Sequence, residues 1–292
     1  MANSIMQEVD VRAAGDLSRE DFHREYVDRN WPVLLKGGAS EWKNRWTPEM
    51  LKEKFGERLI RVERNELFQN EKTNFKMKLG DALDKMIAGS QEVRVRFASA
   101  SFLAAVPELK ADFEANNFRA RFFPDLSQPQ STFWVSPTGN TSVMHHDTFF
   151  ENLNAMIYGR KHYVFIPPWE TRRIYPHFLN ESPVNPNEPD LRKYPKFAGV
   201  ELYQVVSEPG DLLYLPQFWW HFTTALEFTI NLNIAAKAPR ASMQKVLTRM
   251  PLTSRVAYNV LHNDKLLDWF IGRARAVHNV YSHLVSRKAA AS

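Results

Sequence analysis

Short apolar and aromatic runs follow one another over residues 131–236. These runs, such as those at 133–135 and 163–166, are rich in the aromatic and β-branched residues that favour strands. Turn-forming sequences separate them, among them Pro137-Thr-Gly-Asn and Gly159-Arg160. Short strands at this spacing predict an antiparallel barrel or sandwich.

The segments on either side of this region have a different pattern. Residues 1–130 are mixed: Ser18 can cap a helix, and Thr47 followed by Pro48 predicts the start of another. Beyond residue 239 the apolar residues recur at helical spacing. We therefore predict an α+β chain, mainly β, in three parts: an N-terminal helical and mixed segment over 1–130 that supports the barrel, the barrel over 131–238, and a C-terminal helical segment over 239–292.

Because the chain contains no cysteine, any metal ion must be bound by His, Asp or Glu, and disulfides, iron–sulfur clusters and thiol catalysis are excluded. In Met144-His145-His146-Asp147, strand alternation would send His145 and Asp147 to one face. A third candidate ligand, His221, follows on a later strand. Two His and one carboxylate suit ferrous iron and leave positions open for a 2-oxo acid and dioxygen.

A His-x-Asp pair alone is weak evidence, since by chance it is more often a loop or a hydrogen-bonded core pair. Here further motifs surround it in order: Gly139 to Asp147, Asn152, Gly159-Arg-Lys161, Phe165-Ile-Pro-Pro168, Asn187-Glu-Pro-Asp190, Pro209-Gly-Asp211, Leu215-Pro216, Trp219-Trp-His221 and Asn233. This ordered run resembles the JmjC-like cupin family of 2-oxoglutarate oxygenases, and the segment before residue 131 is similar to the one that precedes the barrel in that family.

The resemblance implies a double-stranded β-helix barrel of the cupin, or jelly-roll, type. It also implies Fe(II) held by His145, Asp147 and His221, with 2-oxoglutarate and O2 as cosubstrates. Members of this family use these components to hydroxylate a C–H bond. The resemblance therefore predicts an enzyme, a 2-oxoglutarate-dependent hydroxylase.

Four further residues would contact the cosubstrate by resemblance to the family. Lys161 would pair with the distal carboxylate of 2-oxoglutarate, since a dianion inside a barrel needs a buried cation. Ser142 could bond the same carboxylate, although its odd spacing from His145 requires a bend in the strand. Asn152 and Asn233 would lie close to the cosubstrate. The alternatives are that Lys161 is a solvated lysine of a hairpin, and that Asn152 and Asn233 are turn or edge residues.

The C-terminal segment suggests where the substrate is found. Residues 263–288 place apolar side chains at helical spacing beside a basic side formed by Lys and Arg. This helix could pack internally or in a homo-oligomer, or it could lie on anionic lipid as a peripheral membrane contact. Chain length, basic charge and this tail resemble the Kdo 3-hydroxylases, which modify the inner-core sugar of lipopolysaccharide on lipid A precursors.

The charge and the beginning of the chain complete the sequence-based hypothesis. The formal net charge of +5 suggests an anionic partner, and no nucleic-acid motif is visible. The first ten residues show no secretory signal, so we expect a cytoplasmic location, peripheral on the inner membrane if the tail binds lipid.

The main hypothesis is hydroxylation of the Kdo sugar of Kdo-lipid A, a lipid-linked anionic sugar. The alternatives are a peptide or protein side-chain hydroxylase, and a cupin module that is non-catalytic or holds zinc.

Overall fold

The computed structural model describes residues 6–64, 74–90, 93–98, 106–115, 122–123, 130–147, 150–176 and 180–236. All of them belong to one compact unit, residues 1–246. The helix predicted over 263–288 lies outside the described residues. Within the described ranges, no helix combines the length and the apolar character needed to cross a bilayer.

Strand is the most abundant regular structure in the described chain, and the helices are short. The α-helices are α1 (Arg19–Phe22), α2 (Pro48–Phe55), α3 (Leu79–Ile87) and α4 (Pro107–Ala115). The strands are β1 (Met6–Glu8), β2 (Asp10–Ala13), β3 (Val33–Lys36), β4 (Leu59–Arg64), β5 (Asn74–Lys78), β6 (Val93–Ala98), β7 (Gln130–Ser136), β8 (Met144–His145), β9 (Glu151–Tyr158), β10 (Lys161–Ile166), β11 (Glu181–Ser182), β12 (Leu202–Ser207), β13 (Leu212–Leu215), β14 (Trp220–Ala225) and β15 (Thr229–Ala236). The predicted α+β, mainly β class is confirmed.

The strands form two large sheets. One has six strands in the order β1-β12-β10-β14-β8-β11, and the other has nine in the order β2-β3-β13-β9-β15-β7-β6-β4-β5. Among the strands of residues 130–236, all the pairings are antiparallel. Strands from the N-terminal segment extend both sheets: β1 pairs with β12, and β3 pairs with β13.

The inner faces of the two sheets meet in an aromatic core. Tyr163 and Phe165 of the six-stranded sheet pack in one buried cluster with Leu213 and Leu215 of the nine-stranded sheet. Trp219 closes this cluster, and its indole Nε1 donates to a main-chain carbonyl at 2.7 Å. Polar residues of the interior lie directly beside this cluster, since Asn152 and Asn154 of β9 are the cross-strand partners of Leu215 and Leu213.

The N-terminal helices cover the outer face of the nine-stranded sheet. The predicted helix starts are confirmed, since the Ser18 and Thr47 hydroxyls accept hydrogen bonds from the amides of Asp21 and Met50. After α1 the chain continues as a π-helical turn, and Phe22 packs edge-on against Tyr214 of β13. Burying an aromatic side chain of this size contributes about 1.5–3 kcal/mol.

The excursion between β10 and β12 covers the outer face of the six-stranded sheet. Its apolar side chains share a buried cluster with those of β10, β12 and β14. The excursion contributes Ile174, Val184, Phe197 and Val200, and the strands contribute Val164, Ile166, Leu202, Trp220 and Phe222. Inner and outer residues alternate along β10 and β14 as strand geometry requires. This alternation fixes which side chains enter the barrel.

A tight hairpin joins β9 to β10 and sets the position of the strand that follows. Gly159 has a φ of 72°, and a Cβ there would collide with the main-chain carbonyl oxygen of Phe228. Only glycine meets both conditions without strain. The turn therefore fixes where Lys161 begins β10.

Candidate metal centre

Two of the three predicted metal ligands face each other across neighbouring strands. His145 of β8 and His221 of β14 are direct cross-strand partners, and their ring centroids lie 4.2 Å apart. The adjacent His146 turns to the opposite face, where its buried ring packs edge-on against Trp220 at 4.5 Å between ring centroids. The strand alternation inferred from the sequence therefore holds for both histidines of the motif.

Main-chain carbonyl groups determine which nitrogen of each imidazole can bind a metal. His145 Nδ1 lies 2.7 Å from the oxygen of Val143, and His221 Nδ1 lies 3.0 Å from the oxygen of Trp219. A carbonyl oxygen only accepts hydrogen bonds, so each Nδ1 carries the hydrogen. In the neutral ring, Nε2 then keeps its lone pair, which is the state that a metal-binding imidazole requires.

The environment of His221 favours this neutral state. Burial lowers the pKa of His221 well below its ordinary value, and the nearby His145 lowers it further. His221 is therefore neutral at physiological pH. A ligand that is already deprotonated binds a cation without first releasing a proton.

The third predicted ligand, Asp147, is held from two sides. Its carboxylate accepts a hydrogen bond from the side-chain amide of Asn152, and its main-chain oxygen accepts one from the amide of Phe218 at 3.0 Å. The second bond joins the end of the His-x-Asp motif to the turn just before β14, whose second residue is His221. Asn152, predicted to lie near the cosubstrate, thus orients a predicted metal ligand.

The residue types fit ferrous iron, because two imidazoles with available Nε2 atoms and one carboxylate are the donor set of many non-haem iron enzymes. The side chains of His145, His221 and Asp147 do not converge on one point. Across the described ranges, no three His, Asp or Glu side chains lie close enough together to bind one metal ion. The structure brings His145 and His221 together, while the carboxylate of Asp147 is bonded to Asn152.

Lys161 lies at the start of β10 and its side chain is inside the protein. It is 7% exposed, so the alternative of a solvated hairpin lysine is wrong. Its ammonium donates to the side-chain oxygen of Asn231 at 3.0 Å. Phe165, four residues further along β10, is the cross-strand partner of His221. The main chain of Lys161 therefore lies roughly 13 Å along β10 from that of Phe165, with the inward-facing Tyr163 between them.

Three asparagines on β9 and β15 form a polar group next to Lys161. The side-chain amide nitrogen of Asn231 donates to the oxygens of Asn154 at 2.9 Å and Asn233 at 3.0 Å. Sequence reasoning selected Asn233 but missed Asn154 and Asn231. The signal was present, because asparagines at alternate positions of two apolar strands indicate a polar inner face.

Ser142 reaches the inner face because the strand contains the bend that its odd spacing required. His145 pairs with His221, whereas Thr141 pairs with Thr224, so the register shifts by one residue between the two pairs. Such a shift moves side chains to the other face. The Ser142 hydroxyl accepts a hydrogen bond from the amide of Thr223 at 2.9 Å and keeps its own hydrogen for donation.

Glu181 extends the row of His221 and His145 by one strand. It belongs to β11, at the edge of the six-stranded sheet, and is the cross-strand partner of His145. Direct partners in an antiparallel pair point to the same face, so this exposed carboxylate lies on the side of the two histidines. Sequence reasoning missed it, because the pairing of a two-residue strand within an irregular excursion leaves no local pattern.

Comparison with known proteins gives one family and several relatives. The model of the cupin-like domain family matches residues 19–235. Lysine-specific demethylase 8 of Danio rerio is 28% identical over 226 residues, which cover 74% of this chain and 55% of that protein. Jumonji C domain-containing protein 5 of Drosophila melanogaster is 26% identical over 219 residues, covering 70% and 54%. tRNA wybutosine-synthesizing protein 5 of Danio rerio is 26% identical over 250 residues, covering 78% and 75%.

This chain therefore spans about half of the length of the first two of these relatives.

Proposed function

We propose that this chain, which belongs to the cupin-like domain family, is an Fe(II)- and 2-oxoglutarate-dependent oxygenase. Membership of the family confirms the predicted jelly-roll barrel. The observation that carries the proposal is the pairing of His145 with His221 across two strands. Both rings keep Nε2 available because both Nδ1 atoms are bonded to carbonyl groups. When bound, ferrous iron supplies the redox chemistry that couples O2 and 2-oxoglutarate to hydroxylation of a C–H bond.

The residues of the chain divide the remaining tasks. His145, His221 and Asp147 would hold the metal, and Asn152 orients the carboxylate of Asp147. Lys161 would bind the distal carboxylate of 2-oxoglutarate with a charge-assisted hydrogen bond. Ser142 would donate its hydroxyl hydrogen to the same carboxylate.

The barrel interior also limits the access of water. Tyr163, Phe165 and Trp219 place buried aromatic side chains in the barrel interior. A dry environment strengthens the interaction of a buried cation with an anionic ligand, since the local dielectric constant is low. This favours binding of the cosubstrate at Lys161.

We propose a protein or peptide side chain as the substrate. The name of the demethylase relative specifies a lysine, and this favours a side-chain substrate over a sugar. Glu181 supports a cationic side chain in particular, because its exposed carboxylate lies next to His145 on the face of the metal centre. An opposite charge at this place would orient a lysine or arginine side chain.

The Kdo sugar of Kdo-lipid A remains the second candidate. It rests on the net charge of +5 and on the basic residues within 263–288, which lie outside the described residues. Under this hypothesis the substrate is anionic and lies at the cytoplasmic surface of the inner membrane. A cupin module that is non-catalytic or holds zinc is the third candidate.

A single assay separates the three candidates. The protein is supplied with Fe(II), 2-oxoglutarate and O2, and succinate release is measured with lysine- or arginine-containing peptides and with Kdo-lipid A. Mass spectrometry then locates one added oxygen on the product. Turnover with peptides alone supports the proposal, and turnover with Kdo-lipid A alone replaces it with the sugar hypothesis. No succinate with either substrate and no binding of 2-oxoglutarate would reject the oxygenase.

A further inference from the structure

The asparagine group beside Lys161 lies on the barrel-facing side of the nine-stranded sheet. The alternating residues of β15, Ile230, Leu232 and Ile234, pack in the core under the N-terminal helices, so Asn231 and Asn233 face the other way. Asn154 is buried at 5% exposure and Asn231 at 2%. Polar side chains this deeply buried are stable only when they are hydrogen-bonded.

The hydrogen bonds fix the orientation of the Asn231 amide. An ammonium group only donates, so Lys161 requires the oxygen of the amide, which it contacts at 3.0 Å. The amide nitrogen has two hydrogens, and these are donated to the oxygens of Asn154 at 2.9 Å and Asn233 at 3.0 Å. A flipped amide would place its N–H groups against the ammonium of Lys161 and its oxygen against the oxygens of Asn154 and Asn233.

We propose that Asn231 is a positioning residue for Lys161, which it aims at the distal carboxylate of the cosubstrate, and that Asn154 and Asn233 hold its amide in the required orientation. This inference rests on the proposed function. The chemistry explains why the position carries an amide. A neutral amide oxygen orients the ammonium and adds no negative charge beside it.

A carboxylate at the same position would have the opposite effect. It would form a buried ion pair with Lys161, and a dicarboxylate ligand would have to compete with this internal anion. Asn231→Asp changes one atom group and leaves the shape of the side chain unchanged. Asn231→Ser removes the contact with Lys161 and adds no charge.

The test measures ligand binding separately from catalysis. Calorimetry under argon gives the affinity of the metal-loaded protein for 2-oxoglutarate, and a second titration gives the affinity for the metal alone. We expect N231D to weaken 2-oxoglutarate binding at least tenfold and N231S severalfold, with unchanged metal affinity. The matched control is N185D, which introduces the same charge at an exposed asparagine, and thermal melting verifies that each variant is folded.

A double-mutant cycle separates positioning from a merely structural role. If Asn231 acts through Lys161, N231S should have no further effect on 2-oxoglutarate binding in a protein that already carries Lys161→Met. Additive effects, or binding by N231D within twofold of the unsubstituted protein, would overturn the inference while leaving the oxygenase proposal intact. Absence of 2-oxoglutarate binding by the unsubstituted, metal-loaded protein would instead overturn the proposed function, and the inference with it.

Discussion

His145 and His221 are cross-strand partners whose imidazoles are oriented in the same way, each with Nδ1 against the carbonyl oxygen two residues earlier in the chain. Neither orientation depends on a side chain from elsewhere. Each of the two imidazoles is therefore oriented by the main chain of its own segment. This local control applies to the two histidines only, because the carboxylate of Asp147 is oriented by Asn152 of β9.

Loss of any predicted ligand should abolish turnover and leave the protein folded. His145→Ala, Asp147→Ala and His221→Ala each remove one of three protein donors, so we expect succinate release to fall at least a hundredfold. His162→Ala is the control, since His162 lies on β10 and contacts Gln204 instead of the centre. Near-normal succinate release by one of the three variants would remove that residue from the ligand set.

Lys161→Ala should raise the requirement for 2-oxoglutarate without changing iron affinity. The lost contact is a hydrogen bond to a charged group, worth about 1.5–3 kcal/mol, or roughly 10- to 100-fold in affinity. The measurement is the 2-oxoglutarate concentration that gives half-maximal succinate release, with iron binding titrated separately. Lys36→Ala, which removes a lysine paired with Asp211 and Glu208, serves as control. An unchanged cosubstrate requirement would assign Lys161 a purely structural role.

Asn152→Ala should weaken metal binding through Asp147. The amide of Asn152 orients the carboxylate, and loss of such an outer partner typically costs 10- to 100-fold in metal affinity. Asn154→Ala is a matched control, because Asn154 lies on the same strand and face but is bonded to Asn231. We expect titration with Fe(II) under argon to show weaker binding for the first variant only. Equal affinities in the two variants would contradict the role of Asn152.

Glu181→Gln should affect the substrate and spare the cosubstrate. If its carboxylate attracts a cationic side chain, the kcat/KM for lysine- or arginine-containing peptides should fall about tenfold, while the 2-oxoglutarate requirement stays the same. Glu188→Gln removes an exposed carboxylate from the same excursion and is the control. A loss that is equal for cationic and neutral peptides would count against charge recognition.

Glu151 should make the stability of the protein depend on pH. Burial raises the pKa of its carboxyl from 4.5 to about 8, and the Tyr214 hydroxyl offsets this only in part. Between these values the folded chain holds a proton that the unfolded chain releases, so the stabilisation present at low pH is lost as pH rises. We expect the free energy of unfolding to fall by roughly 3 kcal/mol from pH 5 to pH 8.

The check is denaturant unfolding of Glu151→Gln at several pH values. The variant keeps a neutral side chain of the same shape, so this fall should largely disappear. In Glu188→Gln, where an exposed carboxyl is replaced, it should persist. A variant at position 151 that loses stability as steeply as the unsubstituted protein would show that another group titrates.

The sequence predicted the parts of the centre that depend on local spacing. Strand alternation placed His145 and His146 on opposite faces, and the turn signals located most strands after residue 130. It could not predict features that depend on pairing between distant segments. Glu181 becomes relevant only because β11 pairs with β8, and Asn231 only because its side chain meets Lys161 across the barrel.

The long sequence separation between paired strands has a consequence for how the barrel folds. β1 pairs with β12 and β3 with β13, so the sheets close only when segments separated by most of the barrel sequence meet. Contacts of such long range are slow to form, because the entropy of loop closure is lost before they stabilise the chain. The same delay applies to the two histidines, since they come together only when β8 pairs with β14. We therefore expect the metal centre to assemble late in folding, together with the barrel itself.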